Sequence, residues 1–264
     1  MTAPDGDRRG RLVVVGTGIR TVGQLTVEAI AWLKAADRVF HLAADDVAAE
    51  LIEAWQPGRA TSLRRHYREG RPRREAYDAM VGEIASAVRA GETVCAAFYG
   101  HPGVFAHPPH EVIALLRAEG YRAEMLPGIS AEDCLFADLG VDPAEGCHSY
   151  EATNFLTFDH VADPTVHLVL WQVGMLGDWT HRRERDPSAN VALLVEKLAG
   201  WYPLDHVVVL YRASLEPAQP HDERSCALGD LASAPVTPAS TLYIRPAVAR
   251  RHDEVFRTRV QRIR

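Results

Sequence analysis

The chain has 264 residues, 47% of them hydrophobic and 24% charged, the balance of a globular protein with room for one large domain or two packed ones. That excludes a disordered chain, a collagen and a simple coiled coil. A net charge of −6 argues against attraction of the whole molecule to nucleic acid or to an anionic membrane.

RLVVVGTG at 11–18 predicts a buried strand running into a glycine turn. Val22, Leu25, Ala29, Trp32 and Leu33 recur at helical spacing and predict a helix over 22–35. RVFHLA at 38–43 predicts a second strand, 45–55 a helix and 60–65 a short strand. Residues 74–90 predict a strong helix with Tyr77, Met80, Val81, Ile84 and Val88 on one face, stopped by Gly91. TVCAAFYG at 93–100 predicts another buried strand ending in a glycine turn, 108–119 a helix, RAEMLP at 122–127 a strand and 131–138 a helix.

Such alternation predicts a mostly parallel sheet covered by helices. Ligands of such sheets gather outside the carboxyl ends of the strands. The turns there, GTGI, YGHPG and PGIS, all carry glycine and predict one shared crevice. From about residue 147 the character changes. HLVLWQV at 167–173, HVVVLYRA at 206–213 and STLYIRP at 240–246 predict strands, and 188–201 a helix, with more loop and proline between them. The expected organisation is an α/β unit over 10–146, a second and more antiparallel α/β unit over 147–247, and a basic tail over 248–264. Arg250, Arg251, Arg257, Arg259, Arg262 and Arg264 crowd that tail. It reads as a solvated, frayed end or as a contact for an acidic partner.

Cys95, Cys134, Cys147 and Cys226 form no CxxC pair and read as free thiols of a reducing cytosol, so the expected location is cytoplasmic. MTAPDGDRRG at the start has no apolar core of a secretory signal. The longest apolar runs fall short of the ~20 residues of a membrane span.

GTGI at 16–19 fails as a dinucleotide fingerprint, because GxGxxG would need glycine where Thr21 stands. It remains a tight strand–helix turn, or one that lets a ligand approach the backbone. His107 and His110 have HxxH spacing, but Pro108 and Pro109 lie between them, so the imidazoles need not share a helix face. No carboxylate or cysteine completes a set, and no metal is expected. Ser130 reads as a helix N-cap with Glu132 and Asp133 in the first turn; it can line the crevice as well. No GxSxG elbow supports a serine hydrolase.

HYREGRPRREAYDAM at 66–80 is the least ordinary stretch, with six arginines between 64 and 74 and Tyr67, Arg73 and Tyr77 within eleven residues. Arg73 and Tyr77 are four apart and share a helix face. A guanidinium beside a phenol favours phenolate, which would make a general base. A basic, solvated helix start with tyrosines on its packing face explains the same residues, and the pattern alone leaves both open.

Taken together, GTGI, YGHPG, PGIS and the late STLYI strand resemble the tetrapyrrole (cobalt-precorrin type) methylase family. Within it the chain is most similar to the borosin peptide backbone N-methyltransferases. The likeness rests on GTGI-RTVGQLT, HYREG…R-REAY, FYGHPGVF, LPGISAEDCLFADLG, DP…YEATNF and HLVLWQVG, and covers residues 10 to 247. It implies S-adenosylmethionine bound between two α/β domains, at Gly16, His101, Gly103, Val104, Ser130, Ala131, Gln172 and Thr241. It implies Tyr77 as base, Arg73 as its activator and an oxyanion stabiliser, and Tyr67 and Tyr99 as hydrogen-bond partners of the substrate amide. Methyl transfer needs no metal. The chain ends about 18 residues after STLYIRP in a basic tail, where fused borosin enzymes continue into their own core peptide, and WYPLDHVVVLY at 201–211 resembles the split branch. Arg64 stands where some fused enzymes have a further tyrosine. The resemblance thus implies iterative methylation of a separate ribosomal precursor peptide, by a homodimer that forms a heterotetramer with two precursors. The competing readings are a corrinoid or porphyrin C-methyltransferase and a non-catalytic S-adenosylmethionine- or peptide-binding scaffold.

Overall fold

The structure, a computed structural model, describes residues 10–21, 23–178, 180 and 186–261. The chain forms two compact units: Met1–Val141 with Asp178–Arg185 and Ala213–Asp222, and Asp142–Gly177 with Asp186–Arg212 and Glu223–Arg264.

The first unit runs β1 (Arg11–Gly16), α1 (Val27–Ala35), β2 (Arg38–Leu42), α2 (Asp46–Trp55), β3 (Ala60–Ser62), a 3-10 turn (Leu63–His66), α3 (Arg73–Arg89), β4 (Thr93–Phe98), α4 (His107–Ala118), β5 (Arg122–Met125) and α5 (Ala131–Leu139). Its sheet has the order β3-β2-β4-β1-β5, and every pair in it is parallel, as the alternation predicts. Successive side chains of a strand point to opposite faces, and β1 divides its apolar run accordingly. Leu12 and Val14 join Met80, Ile84 and Val88 of α3 and Val112 and Leu116 of α4. Val13 and Val15 join Ala29 and Leu33 of α1 and Ile52 of α2. A strand buried on both sides needs no polar alternation, and each fully buried Val or Leu contributes roughly 1.5–3 kcal/mol.

Several elements are shorter than predicted, and for two of them a side-chain hydrogen bond sets the end. α1 begins at Val27 because the Thr26 side chain accepts from the Ala29 amide at 3.0 Å and caps it there; the predicted Val22 lies outside the described residues. β3 stops at Ser62, whose hydroxyl accepts from Arg64 N–H at the head of the 3-10 turn.

The second unit contains β6 (Cys147–Glu151), α6 (Ala152–Thr157), β7 (His167–Trp171), α7 (Ser188–Leu198), β8 (Val207–Arg212), β9 (Asp222–Ala227), β10 (Thr241–Ile244) and α8 (Glu254–Gln261). Its sheet has the order β6-β7-β10-β8-β9. β6 and β7 are parallel, and β10 is antiparallel to both β7 and β8, which is the mixed sheet expected. Leu168, Leu170, Val191, Leu194, Leu198, Val208, Leu242 and Ile244 form its core. The described part of the basic tail is not frayed: Asp253 accepts from Phe256 N–H at 3.0 Å and starts α8. Arg262 and Arg264 lie outside the described residues. Among the described residues no helix is long and apolar enough to cross a membrane.

Candidate functional site

The glycine turns of the first unit meet at the carboxyl ends of β1 and β4 and just after β5. A Cβ at Gly16 would stand 2.4 Å from the Gly100 carbonyl oxygen and 3.0 Å from Gly128 Cα, and one at Gly128 would stand 2.9 Å from Gly16 Cα. Main chain packs directly on main chain here, so these positions admit only glycine. Gly100 N–H donates to Gly18 O at 2.8 Å and ties the two loops together. In the next turn Gly103 N–H donates to His101 Nδ1 at 2.9 Å, which places the proton of a neutral His101 on Nε2. A Cβ on Gly103 would meet Met125 Sδ at 2.7 Å. Val104 is partly exposed beside it, and Phe105, 49% exposed, holds a left-handed φ of 51°, an uncommon conformation for an aromatic residue.

Ser130 is buried and caps α5 reciprocally. Its hydroxyl accepts from Asp133 N–H at 3.2 Å, while Asp133 Oδ2 accepts from Ser130 N–H at 2.7 Å and Ser130 Oγ at 2.6 Å. The capping box uses these amides internally and places a carboxylate at the helix start. That makes the α5 terminus a poor seat for phosphate and compatible with a cationic or zwitterionic ligand. Ala131 follows as its first residue.

Tyr67, Arg73, Tyr77 and Tyr99 come together beside these loops. Tyr67 closes the 3-10 turn through its N–H to Arg64 O at 3.1 Å. Pro72 stands directly before α3, where its missing N–H is harmless, so that α3 begins at Arg73 and carries Tyr77 one turn later. The Tyr67 and Tyr77 rings meet edge to face at 6.4 Å, and their hydroxyls share a hydrogen bond. Burial raises the Tyr67 pKa most, followed by its Tyr77 and Tyr99 neighbours, with the Arg73 charge opposing. Tyr99 is 51% exposed overall, yet its hydroxyl is also pushed up, first by desolvation and then by Tyr77, with Arg73 again opposing. Arg73 itself is held by Nε donating to Thr180 O at 3.0 Å. A cavity of about 180 Å³ opens between the 3-10 turn and α3, lined by Tyr67, Arg73, Arg65, His66, Arg68 and Arg71 among others.

In the second unit Gln172 directly follows β7 in a left-handed conformation with φ 58°. Thr241, buried, opens the neighbouring β10. Val173 N–H donates to Ser240 O at 3.1 Å, so the sheet brings Gln172 and Thr241 to the same end.

The histidines differ from the sequence expectation. α4 starts at His107, with Pro108 and Pro109 inside its first turn, so both imidazoles stand on one helix. His107 pairs with Glu111 at 2.9 Å and packs on the Tyr77 ring at 5.9 Å, and His110 Nε2 meets Gly103 O at 2.9 Å. Their role is to hold the loop and the tyrosine. Sequence reasoning missed Thr180, for which no pattern near Arg73 gives a signal. It missed Phe105, whose strain no motif encodes, and it singled out His107 without its tyrosine.

The family of tetrapyrrole (corrin/porphyrin) methylases matches residues 11–220. The chain is 39% identical over 242 residues to a methyltransferase/ribosomally synthesized cyclic peptide dendrothelin A precursor of Dendrothele bispora, covering 90% of this chain and 58% of the relative. It is 41% identical over 213 residues to the corresponding omphalotin A precursor of Omphalotus olearius, covering 80% and 51%. The chain therefore spans little more than half the length of these relatives. Its fold is similar to that of uroporphyrin-III C-methyltransferase from Thermus thermophilus complexed with S-adenyl homocysteine, with a TM-score of 0.60, 18% identity, and 89% and 92% of the two chains covered.

Proposed function

Because the chain belongs to the tetrapyrrole (corrin/porphyrin) methylase family, we propose that it is an S-adenosylmethionine-dependent methyltransferase acting on backbone amide nitrogens of a ribosomal peptide, one after another. The observation that carries this reading is the convergence of Tyr67, Tyr77 and Tyr99 on Arg73. The 39–41% identity to methyltransferases named together with cyclic-peptide precursors supports it.

An amide nitrogen is a weak nucleophile because its lone pair is delocalised into the carbonyl. The site must take the N–H proton and stabilise the negative oxygen of the imidate that forms. Tyr77 is the proposed base. Tyr67 and Tyr99, which their surroundings keep protonated, are the proposed donors to the amide oxygen, and Arg73 supplies positive charge beside them. The hydrogen bond between Tyr67 and Tyr77 lets the removed proton be shared within the cluster. S-adenosylmethionine supplies, when bound, a methyl group on a cationic sulfur. Gly16, His101, Gly103, Val104, Ser130 and Ala131, together with Gln172 and Thr241, are its proposed contacts. The bare main chain at the glycine turns and the internally capped α5 fit an uncharged-to-cationic ligand laid against backbone.

The peptide is proposed to be a separate chain, on the likeness of WYPLDHVVVLY at 201–211 to the split branch. The enzyme is proposed to be a homodimer, two copies binding two precursors. Val255, Phe256 and Val260 exposed on α8 support an interface. Four free cysteines support a reducing, cytoplasmic setting. Tandem mass spectrometry after incubation with methyl donor and precursor peptide tests the reading. Single-methyl mass steps located on backbone nitrogens are expected. Methylation of a tetrapyrrole and of no peptide would overturn it.

A further inference from the structure

A second cavity, of about 250 Å³, lies on the other face of the first unit's sheet from α3, between β2, β3 and α2. None of Tyr67, Arg73, Tyr77 and Tyr99 lines it. Its floor is His41. In β2, Phe40 points to the α3 side, so Val39 and His41 point the other way, toward α2. His41 is 0% exposed. Its Nδ1 has no hydrogen-bond partner, and its Nε2 lies 3.3 Å from Glu53 Oε1 in geometry too poor to satisfy it. A buried polar group left in that state loses its water without a replacement partner, a penalty an apolar residue at this place in the strand would avoid.

The walls have a definite sign. Asp46, Ala49, Glu50 and Glu53 recur at helical spacing and give α2 one carboxylate-bearing face. Arg64 faces them, but its Nη1 donates to Asp46 at 3.0 Å and its Nη2 to the Ala43 carbonyl at 3.2 Å. Three carboxylates against this one guanidinium leave the cavity with a charge of −2. Burial also lowers the pKa of His41, against the pull of Glu53, which favours the neutral ring, and a neutral imidazole carries one acceptor nitrogen. Ala43 and Ala49 leave apolar wall between the polar groups. Among the described residues no group of three or more His, Cys, Asp or Glu is disposed to hold a metal ion.

We propose that this cavity is a binding site for an alkylguanidinium group, as an arginine side chain presents it, with the cation against Glu50 and Glu53, one N–H directed to His41 and the aliphatic stem along Ala43 and Ala49. A planar fork of donors matches two carboxylates and a ring acceptor better than a phosphate or a carboxylate could. The site stands whether or not the methyl-transfer reading does.

The test is a titration of ¹³C-histidine-labelled protein with n-butylguanidinium, with n-butylurea as its neutral isostere. The His41 ring resonance, identified from its loss in His41→Gln, is the readout. Saturable shifts with the cation and none with the urea are expected, and Glu53→Gln and Glu50→Gln, both exposed positions, should each weaken binding by about tenfold or more. N-acetylarginine amide, added in a second arm, separates sources. Its binding points to a peptide side chain and its failure beside a binding n-butylguanidinium to a free small cation, and either upholds the site. Equal response to n-butylurea, affinity unchanged in both glutamine variants, or tight Zn²⁺ binding that n-butylguanidinium cannot match would overturn the proposal.

Discussion

Tyr67 and Tyr77 carry the same phenol in different surroundings, and their proposed roles divide accordingly. Tyr67 is half-buried and desolvation holds its hydroxyl protonated, while Tyr77, also half-buried, stands one turn into α3 with His107 against its ring. Tyr77→Phe keeps the ring and its packing and removes one hydroxyl. It should lower the rate of peptide methylation by about 10²–10⁴-fold while stability changes by no more than about 1 kcal/mol; initial rates and a thermal melt measured on the same sample check both. Gly16→Ala is the opposite case. The added methyl has no space against Gly100 O at 2.4 Å, and both atoms belong to main chain. We expect a loss of about 1–3 kcal/mol, read as a lowered urea midpoint at unchanged slope.

The helices and strands carry predictions of their own. Ser130→Ala breaks the capping box of α5 and should cost about 1 kcal/mol, a fall of roughly 2–4 °C in melting temperature. Arg38 at the start of β2 donates to both oxygens of Glu92, at 2.6 and 2.9 Å, just ahead of β4. The hydrogen bond from Arg38 holds the Glu92 carboxyl below its usual 4.5. A depressed carboxyl stabilises the fold above the unfolded value, and that contribution is lost as pH falls through the folded value. Glu92→Gln should therefore lower the melting temperature at pH 7 more than at pH values well below 4.5, which parallel melts across that range will show. The elements the sequence displayed best are those with one strong physical cause. The unbroken apolar runs of β1 and β4 and the periodic faces of α3 and α4 were legible because burial dictates them. β6 (CHSYE) and β9 (DERSCA) were not, since polar strands stabilised by neighbours leave no pattern of their own. The site divides in the same way. Local turns and the Arg73–Tyr77 spacing could be read directly. The anchor of Arg73 at Thr180, 107 residues away, is a tertiary contact that no local spacing encodes.

At the scale of the whole molecule, a ligand that binds only the folded state should stabilise it by mass action. S-adenosylhomocysteine at about 100 times its dissociation constant should add about 2.7 kcal/mol, a rise of roughly 5–10 °C for a chain of this size. Scanning calorimetry with and without the compound measures it, and a flat response across concentrations would count against the proposed cofactor. The Arg73–Thr180 contact also sets an order of events. All five strands of the first sheet are complete once Met125 has been made, whereas the carbonyl that fixes Arg73 is more than fifty residues further on, beyond β6 and β7. At ribosomal speeds of about 5–20 residues per second, a nascent chain has its parallel sheet seconds before its arginine has an anchor. The anchored Arg73 of the proposed site is thus acquired late in biosynthesis, well after the scaffold that carries it.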